Sequence, residues 1–404
     1  MNGGRSTPKL PAAGDRSAGN ELVVNGYSTG WLKRGFPWVY PAEIVQGRAD
    51  PGTVVRLRGE GGTALGVGIA DRGWISVRRF RRDDGPVDAA LIRSRVEAAR
   101  RRRLSIEPAT TAWRLVNAEN DELPGIRVDV WGGHLVVTLD SPSLRNLVDP
   151  LIAACDEAIG NADSVWLAER RDPRDIERKS IPVTALRGRV EDVTVTELGL
   201  NYEVRPSLGK DAGLFTDMRT NREWMAPHWE NSRVLNLFAH TGAFSVSARA
   251  NGAAEVVSVD LSDGYLARAR RNFELNGLDA GELLAEDAFK ALDRFRRQGR
   301  TFDRIVVDPP GYSHSDGGTW QGEKEWPRLT GACLRVLAPG GWLIAASNLG
   351  SQSPKQFGGA LSEGADRTGR ELRLLHEGTP GVDHPAALHF PESRYLKFWV
   401  LEAS

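Results

Sequence analysis

Cysteine is nearly absent from the sequence, which has Cys155 and Cys333 among its 404 residues. The two are far apart and lack metal-ligand spacing, which argues against a disulfide framework or a zinc site and fits a reducing cytoplasm. No uninterrupted apolar run approaches the roughly eighteen residues of a membrane span. Charge of one sign is not in excess either, because 53 basic residues balance 53 acidic ones. We therefore expect a cytoplasmic protein without metal or membrane contact, whose nucleic-acid surface, if any, is a local patch.

The chain divides into an N-terminal tail followed by three blocks. Residues 1–21 are rich in Gly, Ser, Pro and Ala and lack an apolar signal region, which predicts a disordered tail rather than a secretion signal. Short β-like runs separated by Gly and Pro predict a small β-rich domain over residues 22–92. Residues 93–190 follow the order helix, strands, helix, strand, which predicts an α+β central domain.

The last block, residues 191–404, alternates apolar strand-like runs with helix-like segments. The strand-like runs are RVLNLF, EVVSVDL, ELLAED, FDRIVVDPP and GGWLIAASN. Repeated β-α units of this length predict an α/β fold of the Rossmann-like type, a mostly parallel doubly wound sheet covered on both faces. In such a sheet, ligands bind beyond the carboxyl ends of the strands, near the point where the strand order reverses.

Four of these strand ends carry residues suited to a nucleoside. Gly242 follows the first strand and lets the backbone approach a ligand, with the next helix N-terminus facing it. Asp260 ends the second strand, where a carboxylate can accept hydrogen bonds from both ribose hydroxyls. Asp287 ends the third strand and can meet an adenine edge, and Asp308 follows the fourth at the expected reaction centre. One acidic residue at a strand end is more often ordinary turn chemistry, so the prediction depends on the ordered set.

The cofactor follows from what the first turn lacks. Dinucleotide enzymes show G-x-G-x-x-G to accommodate a pyrophosphate, whereas FAHTGAFS contains a single glycine. S-adenosylmethionine has no phosphates and needs a loop, a ribose acid and an adenine contact, which this sequence supplies. Together with DPPGY, these features predict a methyltransferase that uses S-adenosylmethionine.

The C-terminal half resembles the class I S-adenosylmethionine-dependent methyltransferases of bacterial large-subunit ribosomal RNA. The resemblance rests on DAGLFTDMRTNREW (211–224) before the first sheet strand and on FPESRYLKFWVL (390–401) at the tail. The N-terminal RGFPWVY resembles the start of the PUA domain, an RNA-binding module, in the cytosine-C5 members. The stretch DELPGIRVDVWGGHLVVTL resembles their middle α+β domain, so the resemblance covers nearly everything after the tail.

The resemblance implies which residues line the cofactor site. They are Phe215, Asp217, Arg219, Asn236, Phe238, Thr241, Gly242, Asp260, Leu261, Asp287, Ala288 and Asp308. A cationic Arg219 could meet the methionine carboxylate of the cofactor. A structural ion pair with a neighbouring acid such as Asp217 is the alternative.

The sequence departs from the cytosine-C5 relatives at their nucleophile. In that family a cysteine thiolate attacks C6 of the base, from a Ser-Cys-Ser-Gly-like turn after the fifth sheet strand. Here the turn is AASNLGS, with Asn348 at the cysteine position, and both Cys333 and Cys155 are expected to be packing residues. The Ser-Asn pair is similar to related guanine-N7 methyltransferases. Guanine N7 has an in-plane lone pair and no proton to remove, so alignment carries most of the catalysis.

The candidates for the reaction centre lie on the last two strand ends. They are Asp308, Pro309, Pro310, Tyr312 and Asn348. We expect Asp308 and Asn348 to orient the base through its edge, and Tyr312 either to stack on a flipped base or to pack on its own domain. Gly311 separates the prolines from Tyr312, which weakens the pattern typical of amine methylation.

Arginine and aromatic residues concentrate in KRGFPWVY, WISVRRFRR and RVEAARRRR. Phosphate contacts and base stacking use such side chains, although a charge run is often only a solvated face. The candidate RNA contacts are Lys33, Arg34, Trp38, Tyr40, Arg78, Arg79 and Arg101.

These features predict an enzyme that methylates a base of large-subunit ribosomal RNA, with guanine N7 slightly preferred. Two alternatives stay open. One is a methyltransferase of a small molecule or protein whose N-terminal domains serve oligomerisation, and the other is an RNA-binding assembly factor that senses the cofactor without turnover. The target nucleotide and the formation of a homodimer are left open as well.

Overall fold

The computed structural model describes residues 20–106, 110–170, 181–315 and 318–404, without the side chains of residues 312–323. The predicted disordered tail, residues 1–21, therefore lies almost entirely outside the described residues. Within the described part, no helix is long and apolar enough to cross a membrane.

The N-terminal unit is a six-stranded sheet with one helix against it. Its strands are β1 (Glu21–Val24), β2 (Trp38–Val39), β3 (Ile44–Gln46), β4 (Val54–Gly59), β5 (Ala64–Ala70) and β6 (Val77–Arg81), in the order β2-β6-β5-β4-β1-β3. Helix α1 (Gly26–Arg34) begins where the Asn25 side chain accepts a hydrogen bond from the Ser28 amide, which satisfies a free N–H of the first turn. It ends at Gly35, whose φ of 110° strongly favours glycine. The predicted β-rich unit is confirmed.

The central unit packs two helices on a second sheet. Its elements are α2 (Ala89–Arg102), β7 (Ala112–Asn117), β8 (Ile126–Trp131), β9 (His134–Leu139), α3 (Val148–Ile159), β10 (Ser164–Glu169) and β11 (Val183–Arg187). The sheet order is β11-β10-β9-β8-β7, with β9 and β10 parallel and the other pairs antiparallel. Ile69 and Phe80 of the N-terminal sheet belong to the same hydrophobic core as α2 and α3. The two units thus share a core, and the predicted boundary near residue 92 stays a proposal.

The third unit begins with the antiparallel hairpin β12 (Val193–Glu197) and β13 (Leu200–Val204). The elements that follow are α4 (Arg219–Met225), β14 (Arg233–Leu237), α5 (Ala243–Ala250), β15 (Glu255–Asp260), α6 (Asp263–Leu275), β16 (Glu282–Ala285), α7 (Ala288–Arg297), β17 (Phe302–Val307), β18 (Tyr312–Ser315), β19 (Gly318–Gln321), α8 (Gly322–Leu334), β20 (Leu337–Ser347), α9 (Pro354–Asp366), β21 (Leu372–Gly378) and β22 (Lys397–Ala403).

A seven-stranded sheet of order β16-β15-β14-β17-β20-β22-β21 forms the centre of this unit. Strands β14, β15, β16, β17 and β20 are parallel, and β22 pairs antiparallel with both β20 and β21. The strand order reverses between β14 and β17. One hydrophobic core fills each face, with Trp229 and Phe398 on one side and Trp326 and Phe357 on the other. The Rossmann-like doubly wound sheet is confirmed, and its switch point lies at Phe238 and Asp308.

A buried ionic network joins the central unit to the third unit. Arg103, at the end of α2, is fully buried and donates to both carboxylate oxygens of Asp121, with Nη2 to Oδ2 at 2.6 Å. The same Nη2 donates to the backbone carbonyl of Asp383 at 2.9 Å. The Asp383 carboxylate in turn accepts the Arg114 amide at 3.1 Å and pairs with Arg219. Buried charges are tolerated only when paired and hydrogen-bonded in this way.

We expect Arg103→Met to lower the free energy of unfolding by about 3 kcal/mol, because the substitution removes the buried partner of the Asp121 carboxylate and leaves it only the half-exposed Arg102. The matched control is Arg101→Met on the same helix, since the Arg101 side chain is 67% exposed and a surface change there should alter stability by less than about 0.5 kcal/mol. Urea denaturation of both variants measures the difference. Equal losses in the two variants would show that the network does not stabilise the fold.

Candidate cofactor and substrate site

The loop between β14 and α5 has a backbone shaped for close approach. Phe238, His240 and Gly242 have φ values of 57°, 50° and 75°, so three residues out of five adopt the left-handed region. A Cβ on Gly242 would also lie 3.0 Å from the Cβ of Ala269 on α6. The loop therefore turns tightly at the switch point and aims the start of α5 across the sheet edge. The buried Asn236 side chain donates a hydrogen bond to the Ser245 hydroxyl. The buried Thr241 hydroxyl donates to the Gly213 carbonyl.

Asp260 ends β15 beside this loop, as the sequence predicts. One carboxylate oxygen accepts the His240 amide at 2.8 Å and the other accepts the Ser262 amide at 2.9 Å. Burial raises the pKa of Asp260, and these amides oppose the rise. Each oxygen keeps a free acceptor position, which suits two ribose hydroxyls. The neighbouring Leu261 side chain is 51% exposed and leaves an apolar surface next to them.

Sequence analysis missed one aromatic neighbour of this loop. The His240 ring lies 5.1 Å from the Phe215 ring, which was predicted, and 4.2 Å from the Tyr265 ring, which was not. Burial, reinforced by Arg268, lowers the pKa of His240 to about 4, so the imidazole is neutral at pH 7. Phe215 stays 44% exposed. Tyr265 could have been found from the sequence, because it is an aromatic residue in the first turn of the helix that follows Asp260.

Asp287 occupies the third strand end in a different role. Its Oδ1 accepts the amides of Phe289 at 3.0 Å and Lys290 at 3.2 Å, which makes it the N-cap of α7. Ala288 is buried in the first turn of the same helix. Capping by itself explains an aspartate at this place, and an adenine contact by Asp287 or Ala288 stays a prediction.

Two acidic groups influence each other at the predicted reaction centre. Burial raises the pKa of Asp308 to about 7, with repulsion from Asp217 adding to the rise and Arg222 opposing it. The Asp217 carboxylate accepts the Tyr395 hydroxyl at 2.6 Å. Because two nearby carboxylates repel each other, a cation between them would be bound favourably. The sulfonium and ammonium groups of S-adenosylmethionine have that charge, so the acidic pair and Asp260 fit this cofactor.

Arg219 does not face the acidic pair. Its guanidinium is buried, donates to the Ala112 carbonyl at 3.1 Å and pairs with Asp383. Sequence analysis gave a structural ion pair with a neighbouring acid such as Asp217 as the alternative role of Arg219. The structure shows such an ion pair, with Asp383 as the partner. A contact of Arg219 with the methionine carboxylate stays a prediction that this geometry does not favour.

The turn after β20 contacts the DPPG turn after β17. Asn348 is exposed there, and the buried Lys397 donates through Nζ to the Leu349 carbonyl and, at 2.7 Å, to the Tyr395 carbonyl. A Cβ on Gly311 would lie 2.7 Å from Leu349 Cδ2, which explains why a glycine follows the prolines. Pro309 is buried and Pro310 exposed. The predicted stacking side chain of Tyr312 lies outside the described residues.

Neither cysteine reaches this turn. Cys155 lies in the core of the central unit and Cys333 in the core beneath the sheet. Burial raises the pKa of the Cys155 thiol to about 12 and that of Cys333 further. A thiolate nucleophile is therefore missing at neutral pH.

Two predicted RNA contacts are wrong. Arg78 and Arg79 are buried on β6, where Arg78 pairs with Asp71 at 2.7 Å and with Glu119 at 3.3 Å. Arg79 donates to three backbone carbonyls, including that of Leu32 at 2.8 Å. Both faces of β6 are covered, one by α1 and the other by the central unit. Arg78 joins the N-terminal unit to the central unit, Arg79 binds groups of its own unit, and neither guanidinium can meet phosphate.

The other predicted RNA contacts divide by exposure. Lys33, Arg34 and Arg101 are exposed, whereas Tyr40 is half-buried. Trp38 is also half-buried, donates to Glu119 at 2.8 Å and packs at 4.7 Å on Phe390.

Sequence analysis also missed an aromatic pair on α1. Tyr27 is 65% exposed and its ring lies 6.3 Å from that of Trp31, over which the Arg34 guanidinium sits at 4.3 Å. The missed signal was the i,i+4 spacing of two aromatic residues on a polar helix.

Comparisons with known proteins agree with this geometry. Residues 140–377 match the S-adenosylmethionine-dependent methyltransferase family model, and residues 24–82 match a PUA-like domain model. A protein named ribosomal RNA large subunit methyltransferase I from Cronobacter sakazakii is 31% identical to this chain, and the match covers 93% of this chain and 97% of that protein. The protein of the same name from Aeromonas hydrophila is 32% identical, and the match covers 94% of this chain and 98% of that protein. A methyltransferase-like chain from Streptococcus mutans has a TM-score of 0.83 at 23% identity, covering 95% of this chain and 99% of its own.

The fold and the matches define an S-adenosylmethionine-dependent methyltransferase preceded by a PUA-like domain. The chain belongs to the family of the proteins named ribosomal RNA large subunit methyltransferase I.

The pKa of Asp308 generates a test of the acidic pair. Since the pKa rises from 3.8 to about 7 on folding, the folded chain binds more protons in that window, and its stability falls as pH rises through it. We expect Asp308→Asn to remove this loss. We compare the free energy of unfolding of the variant with that of the parent protein, both without cofactor. The difference in favour of the variant should grow by on the order of 2–4 kcal/mol between pH 4 and pH 8.

Urea denaturation across this pH range measures the gain, with the exposed Asp263→Asn as the control that should show no pH-dependent gain. A constant difference between Asp308→Asn and the parent protein at every pH would mean that Asp308 has an ordinary pKa.

Proposed function

We propose that this enzyme transfers the methyl group of S-adenosylmethionine to a base of large-subunit ribosomal RNA without a covalent cysteine intermediate, with guanine N7 preferred. The observation that supports the absence of a covalent step is the exposed Asn348 at the turn where a nucleophile would stand, with both thiols buried elsewhere. The RNA substrate is supported by the names of relatives that match nearly the whole chain. Such a substrate places the activity in the cytoplasm.

Guanine N7 fits a site that can orient a base but has no nucleophile to attack it. When bound, the cofactor would supply an electrophilic methyl group, which suits a ring nitrogen with an in-plane lone pair. The chain then needs to hold the base in line and to exclude water. The Asn348 amide can donate to O6, and the Asp308 carboxylate can accept from the amino group of guanine. Cytosine C5 is disfavoured because it needs a thiolate.

Asp260 is the proposed ribose ligand. We therefore expect Asp260→Ala to weaken S-adenosylmethionine binding about tenfold to a hundredfold. This is the effect of losing charge-assisted hydrogen bonds worth about 1.5–3 kcal/mol. Titration calorimetry measures the dissociation constant. The matched control is Asp263→Ala, an exposed acid three residues further on, which should bind as the parent protein does. Equal affinities of the two variants would refute the site.

The chemistry can be tested with RNA that traps covalent intermediates. We expect large-subunit RNA containing 5-fluorocytidine to form no denaturation-resistant adduct with the enzyme, because no thiolate is available to attack C6. Mass spectrometric mapping of ribosomal RNA from a deletion strain should reveal one missing methyl group on a guanine. A trapped adduct, or a missing methyl group on cytosine, would reject the proposed base while keeping the methyltransferase.

A further inference from the structure

The segment of residues 381–390, here called the strap, lies on the central and N-terminal units. The Pro385 carbonyl accepts from Asn117 at 3.2 Å, and the Ala387 amide donates to Asn120 at 2.8 Å. At its end, Phe390 is buried with its ring 5.9 Å from that of Phe36. Anchors on both sides therefore fix the backbone around residue 388.

Leu388 projects from this fixed backbone with 84% of its surface exposed. Single exposed leucines are common and need no explanation by themselves. This one differs because the anchored residues Ala387 and Phe390 flank it, so it cannot fold back onto the protein without breaking their contacts. The strap thus presents an apolar side chain to solvent in a defined position.

Cationic side chains lie near the next residue of the strap, His389. A Cβ on Gly35 would lie 2.5 Å from Arg82 Nη2 and 3.1 Å from the ring of His389, which places both groups at the end of α1. Lys33 and Arg34 are exposed on the last turn of that helix. Within the ranges that the structure describes, the side chains of Lys33, Arg34 and Arg82 form no ion pair with a carboxylate. A cluster of unpaired cations favours phosphate.

The strap also leads directly to the reaction centre. His384 Nε2 lies 3.5 Å from Thr216 Oγ1, and Thr216 adjoins Asp217 of the acidic pair. Three residues lie between His384 and Leu388, and the four steps of chain span at most about 14 Å. Leu388 therefore lies within one short stretch of chain of a residue that contacts the neighbour of Asp217.

We propose that Leu388 is a wedge that inserts between RNA bases beside the target nucleotide and keeps the target base out of the stack. This inference rests on the proposed RNA substrate and deepens it. Apolar side chains inserted between bases offset the cost of unstacking, and a base that is to be methylated must leave its stack. Lys33, Arg34 and Arg82 hold the phosphates of the same strand.

The test compares Leu388→Ser with Leu374→Ser, an exposed leucine on the outermost strand β21. The probe is protein-free large-subunit RNA from a deletion strain and a fragment of it with 2-aminopurine next to the methylated nucleotide. We expect Leu388→Ser to lower the single-turnover methylation rate about tenfold or more, the effect of losing a wedge that offsets unstacking. The 2-aminopurine fluorescence gain on binding should fall as well, with S-adenosylmethionine affinity unchanged.

Arg82→Glu should instead weaken RNA binding and flatten its dependence on salt, because one phosphate contact is lost. If the parent protein methylates RNA and Leu388→Ser behaves as Leu374→Ser, the wedge is overturned while the proposed function stands. Weaker binding to intact subunits with unchanged RNA kinetics would assign Leu388 to a protein contact and also overturn the wedge. A parent protein that methylates none of these RNAs would overturn both proposals.

Discussion

The buried carboxylate of Asp383 is the contact on which the arrangement of the site depends. It accepts the Arg114 amide from the central unit and pairs with Arg219 from the segment that precedes the catalytic sheet. The environment lowers the pKa of Asp383 strongly, since hydrogen bonding and charge from His384 and the charge of Arg219 outweigh burial. The carboxylate thus stays ionised in an interior that would otherwise protonate it. Arg219 adjoins the segment that carries Phe215 and Asp217. The Asp383 carboxylate therefore helps to position this part of the predicted cofactor site relative to the central unit.

Backbone groups form much of the sheet edge where the cofactor is expected to bind. Several side chains at this edge already bind groups of their own chain. Asp260 binds two amides of its own chain before any ligand arrives, and Asp287 caps a helix. Such internal bonds preorganise the acceptors, so a ligand meets groups that are already oriented. The left-handed residues Phe238 and His240 represent stored strain in the same loop. Buried side chains pack on both faces of the sheet below and hold this loop in place.

Much of this could be predicted from sequence, and the failures have a common cause. Strand periodicity placed Asp260 and Asp308 at the ends of β15 and β17, because the alternation of apolar runs and helices fixes where each strand ends. The pairing of Arg219 with Asp383 joins residues 164 positions apart, and no local pattern reports such a contact. Arg78 and Arg79 look like a surface run in isolation. They are interior because the central unit covers Arg78 and the end of α1 covers Arg79, and both contacts depend on tertiary packing.

In the proposed reaction, the amide of Asn348 stands where the cytosine-C5 relatives are expected to have a thiol, and this changes which groups must do the catalytic work. Where a covalent adduct is not available, the barrier can be lowered only by orientation, by electrostatics and by keeping water away. Asp308 suits that task because its burial beside Asp217 makes the pair sensitive to any cation that approaches. The Tyr395 hydroxyl and the Lys397 ammonium then hold Asp217 and the Asn348 turn from the same C-terminal segment. Both sides of the proposed reaction centre are thereby held by residues at the start of β22, so the proposed orientation of the base and the closure of the sheet depend on the same segment.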